Sequence, residues 1–563
     1  MSGFSRALLL GFAFLGLSAC GASSAPAPAR APLANPVPPH DDLSRIVARY
    51  WDEHPSAGLA QSPQLMADSL AFERRYLAEV EAIPRASLDA DTRLSYDIFK
   101  RRCESSIEGF TYPSELTPID PFDGVPLQLA RAAADAGKFP FGAVKEYENW
   151  LTQLDDYVAW SNQAIANMRE GMRRGYTSPR AVVERMLPLL QGLGEDSSAN
   201  VFYIPWRTMP KSFPEAERNR LSWRLNAAIK DRLLPSFRQL HDFLQREYLP
   251  RTRTTVALSV LPLGSSWYAY RVKRATGSAQ SPEEIHGMGL AEVERGRARL
   301  NALSPAVPAT GSAALLSGYR DLKTETLAAL PTLFSSLPRA DLELREATPL
   351  GGSPKPLVYQ AAAPERGVPA ILNVNSAPDA ADNRVQVASF LQEAIPGRHL
   401  QSALQQERAD LPKFRQFGND PAFVDGWALY AASLGEELGL YRDDAAKRDA
   451  VMGELKCAAA LVVDTGLHAK NWSRAQAIDY LRAKLALNDG DAGYMTDRFV
   501  AAPGDGLACK IGELKIQSLR NRAQQLLGAR FDIREFHAQI LRDGAMPLDI
   551  LEAKIKSWME GRP

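Results

Sequence analysis

Apolar residues recur at spacings of three and four along most of the chain from Asp41 onward, which is the period of an amphipathic helix. The segments 43–54 (LSRIVARYWDEH) and 65–83 (LMADSLAFERRYLAEVEAI) both follow it. The stretch 144–175 predicts one long helix that ends at its final glycine. Residues 281–284 (SPEE) predict another helix start, with a proline and two acids in the first turn. The pattern therefore predicts a mainly α fold.

Strand patterns are few, short and bounded by glycine or proline. Four segments have them: VALSVLP (256–262), DLELREA (341–347), KPLVYQA (355–361) and PAILNVN (369–375). The last three lie just before the segment 388–407, which contains His399, so we expect a small β-sheet beside that segment. A break in the helical pattern near 335–355 suggests an N-terminal helical region, 41–340, and a C-terminal region, 341–563.

The first twenty residues predict a secretion signal rather than part of the fold. An apolar run from Ala7 to Leu17 is too short to span a bilayer, and it ends in Leu17-Ser18-Ala19-Cys20, a sequence typical of lipidated bacterial proteins. Several acyl chains on Cys20 would anchor the protein stably. Residues 21–40, rich in proline and alanine, predict an extended tether. Because Gly21 rather than aspartate follows the cysteine, we expect an outer-membrane lipoprotein that faces the periplasm and meets the membrane only through its anchor.

Composition excludes some functions and leaves others open. Lysine plus arginine equals aspartate plus glutamate, at 66 each, so no overall field favours nucleic acid. There is no nucleophile elbow, phosphate loop or dinucleotide fingerprint. Besides Cys20, three cysteines remain, so at most one disulfide can form among Cys103, Cys457 and Cys509, and their spacing does not determine which.

The segment 388–407, ASFLQEAIPGRHLQSALQQE, is arranged like the zinc helix of a metallopeptidase. Such helices carry two histidines, with a glutamate as the base for the zinc-bound water. Here Glu393 is in place and His399 follows, but Pro396 and Gly397 interrupt the helical run. An intact version of this motif would therefore differ from the usual short one.

The chain resembles the bacterial domain of unknown function 885 family, which is grouped with the zincin-type metallopeptidases. That family carries His-Glu-Ala-Ile-Pro-Gly-His-His-Leu-Gln where this chain has residues 392–401, QEAIPGRHLQ. Segments along most of the mature chain match its style as well, among them FVDGWALYAASL (423–434), LVVDTGLHAKNW (461–472) and KIGELKIQSLRNRAQQLL (510–527). The resemblance implies a large helical zincin-like fold with a small β-sheet next to the active-site cleft.

Several family positions that would hold or assist zinc are altered. Gln392 and Arg398 replace two motif histidines. A neutral amide is a poor zinc ligand, and a guanidinium has no lone pair to offer. Asp425 stands where the family has the acidic third ligand, glutamate. Further changes are Ala432 for a glutamate and Cys509 where a tyrosine is expected.

Other positions are kept, and each has a functional and a structural interpretation. The resemblance makes Glu393 the general base, and Asp464 with His468 an oriented catalytic pair. It also makes His399 and Asp425 the remaining metal ligands, although either of positions 398 and 399 could be the family's ligand. Without a metal, Glu393 is expected to pair with Arg398, and His399 becomes a hydrogen-bonded core or cleft residue.

Two functional hypotheses follow. The first is a catalytically inactive relative of the metallopeptidases, with no cofactor, that binds a peptide or an envelope protein through the former cleft. The alternative is an active zinc-dependent peptidase whose site is rebuilt from Glu393, His399 and Asp425. A non-catalytic assembly role is a third possibility, and nucleic acid is not an expected partner.

Overall fold

Helices form most of the computed structural model, which describes residues 39–54, 61–138, 141–304, 315–346, 355–364, 367–375 and 384–561. Cys20, the signal segment and all of the tether but its last two residues lie outside these ranges. Within them, no helix is long and apolar enough to cross a membrane.

The N-terminal half is built from helices whose limits largely follow the sequence. They are α1 (Pro39–Glu53), α2 (Pro63–Glu81), α3 (Ala90–Gly109), α4 (Val125–Lys138), α5 (Val144–Arg174), α6 (Arg180–Leu193), α7 (Ile204–Arg207), α8 (Glu215–Ala227), α9 (Leu234–Phe243), α10 (Gly264–Thr276), α11 (Pro282–Asn301) and α12 (Leu315–Ala329). Gly175 ends α5 in the left-handed conformation, with φ of 80°. Ser281 and Glu284 form a capping box at the start of α11, so both predicted helix limits are confirmed.

The C-terminal half begins with the small sheet and then returns to helices. Its strands are β1 (Leu342–Glu346), β2 (Leu357–Gln360) and β3 (Ala370–Val374), and its helices are α13 (Val387–Glu393), α14 (Arg398–Gln406), α15 (Lys413–Gln416), α16 (Pro421–Ser433), α17 (Asp444–His468), α18 (Arg474–Leu485), α19 (Asp489–Ala501), α20 (Ala508–Leu527), α21 (Ile533–Leu541) and α22 (Leu548–Glu560). β3 lies in the centre, parallel to β1 and antiparallel to β2. The predicted three-stranded region is confirmed.

The predicted strand at 256–262 is wrong. Residues Leu258–Val260 form a 3-10 turn that leads into α10. The backbone N–H of Leu258 donates to the ring of His468, and not to a neighbouring strand. Val256, Leu258 and Leu261 are buried in the core while Val260 is exposed, which a short apolar run can do in any backbone conformation.

Two hydrophobic cores fill the molecule, and α17 belongs to both. One core joins α1–α3 to the sheet, to α13–α16 and to α20–α22. The other joins α4–α9 to α18 and α19. Every residue of α17 from Ala458 to His468 is buried. Because such a helix has no solvent face, each polar side chain on this stretch needs an internal partner.

Candidate functional site

The predicted zinc segment folds as two helices instead of one. α13 ends at Glu393 and α14 begins at Arg398, so the proline-glycine pair breaks the run as expected. The backbone turns so tightly that a Cβ on Gly397 would lie 2.0 Å from the carbonyl oxygen of Gln392. Only glycine fits there, and the turn directs residues on either side of it toward α16.

Arg398 forms ion pairs with two carboxylates. Its Nη2 lies 2.6 Å from Oδ1 of Asp425, and its Nε lies 3.3 Å from the carboxylate of Glu393. All three side chains are largely buried, with exposed fractions between 11% and 18%. We call Glu393, Arg398 and Asp425 the Arg398 cluster. The expected Glu393–Arg398 pair is confirmed, whereas the part played by Asp425 in it was not predicted.

Electrostatics keep this cluster charged. Burial alone would raise the pKa of Asp425, but the charge of Arg398 outweighs it and holds that pKa below its usual range. Burial likewise opposes the charge on Arg398, and Asp425 and Glu393 together raise the pKa of the guanidinium. The guanidinium therefore sits between two carboxyl groups in a site with little solvent, and the charge of Lys355 also acts on Asp425.

The close crossing of α16 and α20 positions Asp425. Gly426, the next residue, packs against Gly512 of α20, where an added Cβ would lie 2.4 Å from the Gly512 Cα. A Cβ on Gly512 would in turn meet the carbonyl oxygen of Ala422 at 1.8 Å. Any side chain at this crossing would push the helices apart and move Asp425 away from Arg398.

His399 faces away from the cluster. Its Nε2 lies 3.2 Å from the carbonyl oxygen of Ala340, which can only accept, so this nitrogen carries the proton. The hydroxyl of Tyr359 on β2 lies 3.4 Å from the other ring nitrogen. Burial lowers the pKa of His399 to about 4, which keeps the ring neutral at pH 7. Both ring nitrogens are thus engaged by partners that the sequence did not indicate.

The sheet contacts the cluster directly, as predicted. The backbone N–H of Tyr359 points to Oε2 of Glu393 at 3.4 Å. Because the same residue also meets His399 through its hydroxyl, β2 links the glutamate to the histidine. Gln392 lies half-buried beside Glu393 at the end of α13.

The donors around Glu393 do not fit a zinc ion. A guanidinium cation lies between Glu393 and Asp425, where a divalent cation would be repelled. His399 has its protonated nitrogen on a backbone carbonyl, and Gln392 offers only an amide. Over the described ranges, no three His, Cys, Asp or Glu side chains come together in a way that could hold a metal. The proposed metal roles of His399 and Asp425 remain predictions.

Asp464 and His468 lie on α17, where they bond to other elements of the fold. Asp464 accepts the hydroxyl of Tyr268 at 2.7 Å and the backbone N–H of Gly504 at 3.0 Å. Burial raises the pKa of Asp464 to about 7. We call this carboxyl group, His468 and their hydrogen-bond partners the Asp464 cluster.

His468 has its hydrogen-bonding capacity filled by backbone groups. Its Nε2 donates to the carbonyl oxygen of Phe499 at 2.9 Å, and its Nδ1 accepts the N–H of Leu258 at 3.1 Å. Burial lowers the pKa of the ring to about 3. Over the described ranges, neither Asp464 nor His468 has an ion pair or hydrogen bond to the Arg398 cluster. The bonds of His468 tie α17 to α19 and to the 3-10 turn at Leu258, and a catalytic role for Asp464 or His468 remains a prediction.

The cysteine pairing that the sequence left open is settled by geometry. Cys457 on α17 and Cys509 on α20 form a disulfide, with Cα atoms 6.0 Å apart, and Cys103 is a buried free thiol. The position where the family resemblance places a tyrosine therefore holds a crosslink between two core helices.

Comparison with known proteins places the chain among bacterial proteins of unknown function. A protein from Colwellia psychrerythraea, described as a "putative lipoprotein", superposes with a TM-score of 0.80 at 23% identity, covering 93% of this chain and all of that one. A second, from Shewanella oneidensis and described as a "putative lipoprotein of unknown function", has a TM-score of 0.66 at 17% identity and covers 91% and 96%. At these identities the likeness establishes the fold alone.

The sequence comparison agrees over almost the whole chain. No curated protein matches the chain. A family model described as "Bacterial protein of unknown function (DUF885)" matches residues 59–555. The chain therefore belongs to this family of bacterial proteins.

Proposed function

We propose that this protein is an envelope lipoprotein that has lost the zinc chemistry implied by its resemblance to metallopeptidases, and that it acts by binding a peptide or another envelope protein. The observation that carries the proposal is the position of Arg398, paired with Glu393 and Asp425. A fixed cation in the place of a metal neutralises part of the carboxylate charge and supplies no Lewis acid or activated water.

The state of Glu393 supports the same conclusion. A general base needs a free oxygen within hydrogen-bond reach of the water that it deprotonates. Here one face of the carboxylate meets the guanidinium of Arg398, and Oε2 also meets the N–H of Tyr359. Both partners compete with a water molecule for the same lone pairs.

A binding role fits the partial exposure of the cluster. Arg398 and Asp425 keep 14% and 18% of their side-chain surface exposed, and Gln392 beside them is half-buried. Peptide groups carry amide donors and acceptors that pair with an amide and with carboxylate oxygens.

The anchor belongs to the same proposal. Cys20 follows a signal-like segment, and both structural relatives carry the word lipoprotein in their descriptions. Cys20→Ala should move the protein from the detergent-soluble membrane fraction to the soluble envelope fraction. Retention of that variant in the membrane fraction would contradict the lipid anchor.

The test of catalysis is hydrolysis of a mixed peptide library by the wild-type protein and Glu393→Gln, each with added zinc. The proposal expects the same background rate for both. A loss of about 100-fold in the variant would show that Glu393 is a working general base and would favour the alternative, an active peptidase built on Glu393, His399 and Asp425.

A further inference from the structure

A second charged site lies where α6, α18 and α19 meet. A crevice of about 380 Å³ is lined there by charged and small side chains: Ala181, Glu184, Arg185, Pro188, Arg474 and Asp497. This volume is in the range of small-ligand sites. The residues of the crevice lie on α6, α18 and α19, whereas those of the Arg398 cluster lie on α13, α14 and α16.

A buried aspartate fixes two arginines at this crevice. Asp497 has only 5% of its side chain exposed. Arg474 binds it through Nε at 2.6 Å and Nη2 at 3.0 Å, and Arg185 binds it through Nε at 3.1 Å and Nη2 at 2.7 Å. Two guanidiniums thus share one carboxylate, which leaves one positive charge in excess.

Aromatic rings hold Arg185 further. Its guanidinium carbon lies 5.3 Å from the ring centre of Phe122 and 5.6 Å from that of Tyr494. These two rings meet edge to face at 5.2 Å. Stacking and the Asp497 bonds together fix the plane of the guanidinium before any ligand arrives, which lowers the entropy cost of binding.

Both arginines have donors left for a ligand. The bonds to Asp497 use Nε and Nη2, so Nη1 of each remains outside them. Arg185 and Arg474 keep 35% and 40% of their side chains exposed. Guanidinium edges presented in this way match the oxygens of phosphate and carboxylate groups.

One carboxylate on the rim works against an anion. Glu184 lines the crevice, but it pairs with Arg180 at 2.7 Å, and both side chains are about half exposed. Counting Arg180 and Glu184 with Arg185, Arg474 and Asp497, the crevice still holds three cations and two anions.

We propose that this crevice binds a small oxyanion, a phosphate or carboxylate group, between Arg185 and Arg474. The inference is independent of the proposed function, because the two sites share no residue. Asp497 acts as a positioning residue that orients the two guanidiniums and does not touch the ligand.

The experiment is calorimetric titration of the full-length, detergent-solubilised protein with inorganic phosphate, acetate and chloride at equal ionic strength. We expect saturable binding of at least one oxyanion but not of chloride. Tighter binding of phosphate would identify a phosphate ligand, and tighter binding of acetate a carboxylate ligand. Arg474→Gln and Arg185→Gln should each weaken binding about tenfold.

Two further variants separate recognition from misfolding. Arg220→Gln is the matched control, because Arg220 is also 40% exposed and ion-paired but lies on α8, and its affinity should equal that of the wild type. Glu184→Gln should tighten binding roughly threefold, since it removes the opposing charge. The proposal is overturned if no oxyanion binds saturably, if chloride binds as well, or if both arginine variants bind like the wild type.

Discussion

The Arg398 cluster and the Asp464 cluster solve the same problem, a carboxyl group inside the protein, in opposite ways. In the first, a guanidinium lies 2.6 Å from Asp425 and holds the pKa of that carboxyl below its usual range. In the second, Asp464 has a hydroxyl and a backbone N–H as partners, and burial raises its pKa to about 7. Arg271, whose charge acts on Asp464, bonds to Pro503 and Asp505 instead.

The difference shows that whether a residue matches the family pattern and what its side chain bonds to are separate questions. Asp464 and His468 keep the residues that the family resemblance implies, yet their hydrogen bonds go to Tyr268 and to backbone groups. The Arg398 cluster has changed residues, and the new arginine pairs with two retained or conservatively altered acids. Arg398 and Asp425, both altered, therefore form one ion-pair group with the retained Glu393, whereas the retained Asp464 and His468 bond to other parts of the fold.

The largest expected effect on stability comes from a change in the Arg398 cluster. Arg398→Met should lower the free energy of unfolding at pH 7 by about 3–5 kcal/mol, because it leaves two buried carboxylates without a cation. Chemical denaturation measures the loss. The difference in unfolding free energy between the wild type and the variant should become smaller as the pH falls below about 5, since unpaired buried carboxylates take up protons.

The matched control is Arg232→Met, which breaks an exposed pair with Asp155 and should cost less than about 1 kcal/mol. Equal losses in the two variants would mean that Arg398 contributes no more than a surface arginine.

The second effect is a pH dependence in the Asp464 cluster. The folded pKa of about 7 lies above the ordinary value of 3.8, so the folded state binds the proton more tightly. The contribution of Asp464 to the stability of the fold is then fully present below pH 4 and is lost as the pH rises to 7. Asp464→Asn removes this fall and should gain about 4 kcal/mol relative to wild type between pH 4 and pH 8, since the two pKa values lie about three units apart. Parallel pH profiles for the two proteins would contradict the raised pKa.

The third effect concerns His468. His468→Gln should cost about 1–3 kcal/mol, because the N–H of Leu258 and the carbonyl of Phe499 lose a buried partner. Thermal unfolding reports it. His241→Gln on α9, where the ring lies beside Asp242 and keeps 19% of its side chain exposed, serves as the control and should lower the melting temperature less than His468→Gln. A His468→Gln variant with an unchanged melting temperature would argue against the structural role given to this ring.

The smallest expected effect tests the contact between the sheet and the residues around the Arg398 cluster. Tyr359→Phe removes the 3.4 Å contact to His399 and keeps the backbone N–H that faces Glu393. It should cost about 0.5–1 kcal/mol in denaturant unfolding. A larger loss would mean that the hydroxyl supports the site through more than this bond.

The sequence predicted the fold more completely than the site. Helix limits at Gly175 and Ser281 depend on local chemistry, so they can be read from neighbouring residues. The strands at 342–346, 357–360 and 370–374 were also predicted. The segment 256–262 was not, because its conformation depends on the ring of His468, which lies 210 residues away from Leu258 along the chain.

The site was predictable only where charge made the pairing necessary. Glu393 and Arg398 are five residues apart, and their opposite charges indicated the pair. Asp425 joins them through the Gly426–Gly512 crossing, a tertiary contact with no local pattern. A signal did exist: the family resemblance assigns a ligand to position 425 and another to position 398 or 399, so these positions were expected to lie close together. The partners of His399 come from β2 and from Ala340, and no motif marks them.

The most direct test of the central claim is the zinc content of the detergent-solubilised protein after dialysis against trace zinc, beside the double variant Gln392→His/Arg398→His. The account predicts no stoichiometric zinc in the wild type and about one zinc per chain in the variant, where two imidazoles join the carboxylate of Asp425. One zinc per wild-type chain would contradict it, because a metal could not share the site with the Arg398 guanidinium.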